Sequence, residues 1–411
     1  MNLVMYAIPF FILLMGIEFL YGYWRGRNTY RLADTVNSLS LGTLSRLVGL
    51  VKLGLTGVVF ELVRGRLGLT SFAMDAWWVW VLAFVGYDFC YYWSHRMGHE
   101  WRLFWASHVA HHQSEEFNLS TALRQTSTGS TFVFYVPLYL LGFPAEMIVT
   151  VGALNLIYQF WVHTEHVPEL GVLEWVLVTP SNHRVHHAKN PVYIDRNYGG
   201  VFIVWDRLFG TYQRELQEEP CYYGITHQLA SWNPLWANLH VWYETARDTL
   251  RTRRWRDKVK LWFSSPAWRP ADLPPVHADW QSPKYDPAMV PGCGPIVFVQ
   301  YWLITAAGLT LLGLAPKLPY PFVLSVLAIL IFSFYVLGTF LEGRRHAPLA
   351  EYVRLALLAA LLAYWHDLLG PALTATVAAY TALSLTANLW LTTRHRTRTD
   401  LRPPTANNAA A

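Results

Sequence analysis

The sequence predicts an all-α fold, a polytopic helical bundle that crosses a membrane about nine times. Of its 411 residues, 53% are hydrophobic and only 14% are charged, against roughly 25% charged in soluble domains. The mean hydropathy is +0.21, and apolar runs long enough to span a bilayer recur along the chain. Both observations argue against a water-soluble globule.

The N-terminal part of the chain contains five of the predicted spans. The first has neither a basic leading region nor a small-residue cleavage site, which indicates an uncleaved anchor. The second is the weakest because it contains Arg46 and Lys52, and the third is rich in Trp and Tyr, which favour the membrane interface. Gly142-Phe143-Pro144 breaks the next apolar run, which predicts a hairpin of two helices. These segments are 1–23, 39–63, 73–93 and, for the hairpin, 131–160.

A mixed, polar stretch at 165–291 separates these spans from four more apolar segments. The four segments are 296–314, 321–341, 350–369 and 372–391. With the N-terminus outside, the main basic clusters all face the cytoplasm, as the positive-inside rule requires, and only Arg64 and Arg66 violate it. The same threading predicts an integral, multi-pass protein with its clustered histidines on the cytoplasmic face.

Composition divides the chain into five expected parts. They are N-terminal anchor helices (1–72), a histidine-rich domain expected to carry the chemistry (73–230), a basic and proline-rich linker (231–291), C-terminal transmembrane helices (292–392) and a basic, disordered tail (393–411). The net charge is only +5, and the basic residues interrupt apolar runs instead of forming a patch, so no nucleic-acid partner is expected. Three widely spaced cysteines offer neither a disulfide framework nor a cysteine metal site.

Eleven of the sixteen histidines fall between His95 and His227, and ten of these form four short strings. Side chains at i, i+3 and i+4 share a helix face, so each string can direct two or three imidazoles at one point. The strings are His95-x3-His99, His108-x2-His111-His112, His163-x2-His166 and His183-x2-His186-His187. Neutral imidazole suits iron, zinc, copper and nickel, and ten histidines are about right for two metals.

Two residues, one beside the histidine strings and one within them, qualify this interpretation. Asp88 lies on the same predicted helix face as His95 and His99, and an intramembrane carboxylate needs a partner, so it is expected to orient a histidine. His166 is the least secure of the ten, because Glu165 or solvent could take its place.

Four classes of protein could use such histidines: an oxygen-activating dimetal enzyme, a zinc protease, a metal transporter and a structural membrane protein. The protease needs the string HExxH, whereas this chain has His95-Arg-Met-Gly-His99. A transporter should carry ionisable groups through several spans, whereas these histidines lie at span ends and in the polar stretch. A structural role does not account for the spacing. The favoured interpretation is a dimetal enzyme that oxidises a C–H bond of an apolar substrate with dioxygen and iron.

At these residues the chain resembles the fatty acid hydroxylase and sterol desaturase superfamily of membrane di-iron enzymes. Three histidine boxes match, at His95/His99, His108/His111/His112 and His183/His186/His187, and the likeness is dense over residues 75–230. Further strings carry it: Phe117-Asn-Leu-Ser-Thr-Ala-Leu-Arg-Gln125, Tyr158-Gln-Phe-Trp-Val-His-Thr-Glu165 and Asn197-Tyr-Gly-Gly-Val-Phe-Ile-Val-Trp-Asp206.

The resemblance implies that the box histidines and His163 bind two iron ions. It also places Glu100 and Gln159 in the catalytic pocket with Asp88, and Arg124 and Gln125 in cofactor binding. The implied activity is O2-dependent hydroxylation of a membrane lipid, first of all at the carbon beside an ether oxygen, giving a hemiacetal that collapses to a fatty aldehyde and glycerol. Fatty-acyl hydroxylation or desaturation and sterol oxidation are the alternatives. The implied electron donor is tetrahydrobiopterin, with a redox protein such as cytochrome b5 as the other choice.

Overall fold

The computed structural model describes residues 3–52, 55–129, 131–289 and 292–400. The regular secondary structure of these ranges is helical, as predicted, with two isolated β-bridges (Leu177 with Phe202 and Ala188 with Tyr223) and no strand ladder. The α-helices in the first 130 residues are α1 (Leu3–Trp24), α2 (Leu32–Lys52), α3 (Leu55–Leu67), α4 (Trp77–Glu100), α5 (Arg102–His112) and α6 (Leu119–Ala122). Those in the middle of the chain are α7 (Val136–Leu141), α8 (Ala145–Trp161), α9 (Pro180–His187), α10 (Val204–Phe209), α11 (Pro234–Arg251) and α12 (Trp255–Phe263). The last are α13 (Cys293–Leu314), α14 (Tyr320–Leu341), α15 (Ala347–Tyr364) and α16 (His366–Asp400).

Five of the described helices are long and apolar enough to cross a membrane: Leu3–Trp24, Cys293–Lys317, Tyr320–Leu341, Ala347–Tyr364 and His366–Thr393. The predicted second span, 39–63, falls on α2 and α3, and residues 53–54 between them lie outside the described residues. α2 buries Asp34, Asn37 and Ser38.

The apolar run at 131–160 breaks where the sequence predicts. α7 ends at Leu141 and is capped by Gly142, whose φ of +100° is a left-handed conformation that glycine adopts without strain. α8 then begins after Pro144. A Cβ on Gly142 would also collide with the Thr70 carbonyl, so the turn requires glycine both for its φ angle and for its packing.

The chain divides into two compact units. The first consists of Met1–Ala230 and Trp236–Tyr285, and the second of Ser231–Leu235 and Asp286–Ala411. Most of the predicted linker, 231–291, therefore belongs to the first unit. Arg102 explains part of this difference, because its guanidinium donates to the carbonyls of Pro266 and Trp268, both at 2.6 Å. The predicted tail, 393–411, is helical as far as Asp400, and its remainder lies outside the described residues.

Candidate metal centre

Four segments of the first unit carry the clustered histidines. α4 carries the first string, α5 the second, the turn after α8 the third, and α9 the fourth. α9 begins sharply because Thr179 accepts a hydrogen bond from the backbone N–H of Asn182 and Pro180 occupies the first turn. All eight residues of α9 are buried, so its three histidines lie in the interior.

Nine of the ten histidines converge in two groups, and in each group the potential ligand atoms lie within 4.8 Å of one another. The five-histidine group comprises His95, His99, His108, His112 and His186. The four-histidine group comprises His111, His163, His183 and His187. The groups adjoin, because the rings of His112 and His187 stack with centroids 4.4 Å apart.

The spacing of the ring nitrogens suits a metal ion. In the five-histidine group, His108 Nε2 lies 3.0 Å from both His95 Nε2 and His112 Nε2. In the four-histidine group, His183 Nε2 lies 3.0 Å from His163 Nε2 and 3.2 Å from His187 Nε2. Two nitrogens bound to one metal at about 2.1 Å are about 3.0 Å apart when they subtend a right angle, so these separations are those of neighbouring ligands.

Backbone carbonyls fix the opposite nitrogen of four of these rings. The Nδ1–H groups donate over 2.8–2.9 Å in four pairs: His95 to Tyr198, His111 to Arg124, His163 to Gln159 and His186 to Arg196. A proton held on Nδ1 leaves the Nε2 lone pair free for a metal. The buried Nε2 atoms of His99 and His186 have no hydrogen-bond partner among the described residues. The donor set therefore fits metal ions that favour imidazole, iron among them.

Burial keeps the imidazoles neutral, which metal binding requires. It lowers the pKa of His111 to about 4. It also holds the pKa values of other members outside the membrane helices well below their usual range, with additional lowering from neighbouring histidines. These members are His108, His112, His163, His183, His186 and His187.

Two buried carboxylates hold the segment that supports His95. Asp206 accepts from the backbone N–H groups of Tyr198 (2.7 Å) and Gly199 (2.8 Å) and from the Thr211 hydroxyl (2.7 Å). It thereby fixes the Tyr198 carbonyl that orients His95. Burial raises the pKa of Asp206 to about 6, against the opposing effect of these donors.

Asp88 acts on the next part of the same segment. It accepts from the backbone N–H groups of Val201 (2.8 Å) and Phe202 (3.0 Å), from Trp205 Nε1 (3.0 Å) and from Asn155 Nδ2 (2.7 Å). These donors hold its carboxylate beside backbone rather than beside an imidazole, so its support of the histidines is indirect. Glycine is required at position 200, where a Cβ would lie 2.8 Å from Asp88 Oδ1.

The other residues predicted for the site differ in how directly they contact the two histidine groups. Gln159 supports His163 through its carbonyl, while its side chain accepts from the Tyr91 hydroxyl at 2.7 Å. Glu100 pairs with Arg96 over 2.7 Å at the end of α4. His166 lies outside both groups, with its ring edge-on to Tyr21 at 5.2 Å.

The Arg124 side chain is fully committed to protein groups. Its carbonyl orients His111, and its guanidinium donates to the Ala110 carbonyl (2.6 Å), to Asn37 (2.7 Å) and Ser38 (3.3 Å), and to Gln113 (3.0 Å). Gln125 is half-buried, and its amide donates to the Ala122 carbonyl at 3.1 Å. Arg124 therefore positions a histidine, and Gln125 is the more accessible of the two residues predicted to bind a cofactor.

Sequence reasoning missed Glu18 on α1. Its buried carboxylate accepts from the Leu119 N–H (2.8 Å) and from the hydroxyls of Thr164 (2.5 Å) and Tyr30 (2.5 Å), which ties α1 to the turn that carries His163. The signal was available, because a single acid in an apolar span is costly unless it is partnered. Asp206 has no comparable signal in the sequence, because its role depends on contacts that no spacing reveals.

Known proteins with similar sequences indicate the family in which this kind of centre occurs. A family model described as fatty acid hydroxylase matches residues 80–211. The chain is 35% identical over 368 residues to alkylglycerol monooxygenase from Danio rerio, a match covering 86% of this chain and 80% of that protein. It is 41% identical over 269 residues to alkylglycerol monooxygenase from Homo sapiens, covering 64% of this chain and 59% of that protein. It is 30% identical over 158 residues to ornithine lipid hydroxylase OlsE from Rhizobium tropici, covering 36% of this chain and 46% of that protein. No solved structure matches.

The fold and the histidine groups define a helical integral membrane protein with a histidine-rich metal centre. The chain belongs to the fatty acid hydroxylase family. It is an oxygen-dependent lipid monooxygenase of the membrane, as the resemblance of its histidine boxes implies.

Proposed function

We propose that the five-histidine and four-histidine groups each bind one iron ion. The observation that carries this proposal is the convergence of nine buried imidazole nitrogens into two adjoining groups. Two irons held there would supply the activation of dioxygen that oxidation of an unactivated C–H bond requires. His166, which lies outside both groups, is not needed for either set.

The substrate that the comparisons favour is a glycerol ether lipid. Relatives named alkylglycerol monooxygenase match at 35–41% identity over most of this chain, whereas the ornithine lipid hydroxylase matches over 36% of it. Hydroxylation of the carbon beside the ether oxygen would give a hemiacetal, which collapses to a fatty aldehyde and glycerol. Fatty-acyl hydroxylation and sterol hydroxylation or desaturation are the alternatives within the family, and metal transport is the alternative outside it.

The chain's own residues would hold and shield the irons. Tyr198, Arg124, Gln159 and Arg196 fix the imidazoles through their carbonyls, so little reorganisation is needed when the metals bind. Because the rings are buried, water is excluded from the site. Fewer oxidising equivalents are then lost in side reactions. We assign Asp88 to positioning of the His95 segment.

The other proposed roles concern the substrate and the electron donor. We assign Glu100 and Gln159 to the wall of the substrate pocket and Gln125 to contact with the electron donor, proposed as tetrahydrobiopterin and alternatively a redox protein. We also propose that the chain crosses the membrane about nine times with the histidine groups on the cytoplasmic face. The basic clusters of the sequence support this orientation.

Metal content and product analysis test the proposal together. The protein and its His186→Ala variant, both expressed with added iron, are measured for iron per chain and then supplied with a 1-O-alkylglycerol, a fatty acid or a sterol, with tetrahydrobiopterin or a reducing protein as donor. About two irons per chain, lost in the variant, with aldehyde formed from the alkylglycerol, is the expected result. One metal or none would contradict the dimetal centre, and turnover of only the fatty acid or the sterol would reassign the substrate.

A further inference from the structure

A second buried polar cluster lies within the C-terminal unit. Glu351 and Arg354, on α15, are 0% and 1% exposed. Their side chains form a two-pronged ion pair with distances of 2.5 and 2.7 Å, and Arg354 also donates to the Tyr380 hydroxyl at 2.7 Å. Ionised groups inside an apolar helix are costly and mark functional sites more often than not.

The cluster borders a cavity that has one unsatisfied hydrogen-bonding group. Gln300 of α13, Glu351 of α15 and Asn388 of α16 line it together with apolar side chains such as Phe340 and Leu391. Asn388 is 2% exposed, and its Nδ2 donates to the Pro348 carbonyl at 3.1 Å. Its Oδ1 has no hydrogen-bond partner among the described residues, and leaving such an acceptor buried and unpaired costs free energy unless a ligand supplies a donor.

The chemistry of the lining specifies the ligand. The Asn388 Oδ1 needs an O–H or N–H donor, and the Gln300 amide offers N–H groups to an acceptor. Glu351, the charged residue in the wall, is neutralised by its ion pair with Arg354, so the cavity has no preference for a charged group. Its centre is wide enough for a group the size of a water molecule. A hydroxyl group satisfies all four conditions.

The position of the cavity indicates where that hydroxyl comes from. The lining residues lie near the first residues of α13 and α15 and near the last apolar residues of α14 and α16, so they form one end of the bundle. A helix rises 1.5 Å per residue, which puts the polar groups roughly 6–10 Å below the helix ends, near the end of the bundle that lipid headgroups reach first. We propose that this cavity binds the free hydroxyl of an uncharged lipid headgroup, separately from the histidine groups.

Photolabelling tests the inference. The full-length protein is reconstituted in phosphatidylcholine vesicles that contain a diacylglycerol with a photoreactive diazirine beside its glycerol, and labelled peptides of α13, α15 and α16 are quantified. Labelling of these peptides is expected, and Asn388→Leu and Gln300→Leu should each reduce it about threefold to tenfold, the effect of one lost hydrogen bond. Ser325→Ala serves as the control, because this exposed hydroxyl bonds only to its own helix; its labelling should equal that of the unmodified protein.

Competition separates a hydroxyl site from general lipid contact. Unlabelled diacylglycerol should suppress the signal, whereas its O-methyl ether, which lacks the donor, should not. Equal competition by the ether, or unchanged labelling in a folded Asn388→Leu variant, would overturn the inference, and absence of labelling would mean that water alone fills the cavity. Iron content and turnover are measured on the same samples, so failure of the proposed oxygenase function and failure of this site give different results.

Discussion

Replacement of His163 by alanine should remove one of the four nitrogens in the four-histidine group, whereas replacement of His166 should leave both groups intact. The two residues belong to one string, yet His163 Nε2 lies 3.0 Å from His183 Nε2, while His166 lies against Tyr21. Four-ligand metal sites gain about 10–16 kcal/mol on binding, so one ligand contributes about 3 kcal/mol, or more than 100-fold in affinity. Loss of the Tyr21 contact should cost only about 1 kcal/mol of stability and no metal.

Iron per chain after dialysis against graded chelator concentrations measures the difference, with the thermal transition of each variant as a folding control. His163→Ala should release iron at a chelator concentration about 100-fold lower than the unmodified protein. His166→Ala should match the unmodified protein. Equal iron retention by the two variants, or greater loss from His166→Ala, would refute the assignment of ligands to the four-histidine group.

Three further outcomes are expected. Asp206→Asn should weaken iron retention about 10- to 100-fold with all ligands present. The Tyr198 and Gly199 N–H groups bind different carboxylate oxygens, and in the amide an NH2 group that cannot accept replaces one of these oxygens. Chelator titration measures this effect, and an unchanged midpoint would contradict it. Asp88→Asn should weaken retention only in part, and an effect as large as loss of His163 would make it a ligand. In iron-free protein, the pKa of His111 is lower in the folded chain than in the unfolded chain. As the pH falls, the unfolded chain is therefore protonated at this histidine before the folded chain is. Stability should therefore be complete above about pH 6.5 and fall by up to about 3 kcal/mol as pH decreases to 4, and denaturant titration at several pH values that shows no slope would exclude this linkage.

Helical class and the identity of the histidine strings could be predicted because both depend on local pattern. Apolar runs predict helices, and the i, i+3 and i+4 spacing brings imidazoles to one face. The break at Gly142 was equally local. The all-helical fold is confirmed, while the nine-span topology and the ligand assignment stay predictions.

Other features depend on contacts between distant parts of the chain. Arg102 holds carbonyls more than 160 residues away, which brings a proline-rich segment into the first unit although its composition is typical of a linker. The carboxylate of Asp206 acts through two backbone N–H groups, a contact that leaves no periodic trace in the sequence. Glu18 differs from both, because the cost of an unpaired acid in an apolar span could have identified it.

The two HxxHH strings show how helix geometry builds both groups at once. In α5 the i, i+4 pair His108 and His112 belongs to the five-histidine group, and the histidine between them in the string belongs to the four-histidine group. α9 has the reverse arrangement: its i, i+4 pair belongs to the four-histidine group and His186 to the other. Neighbouring residues on a helix point about 100° apart, so adjacent histidines necessarily diverge. Each helix thus bridges both groups, and a displacement of either helix should disturb both histidine groups together.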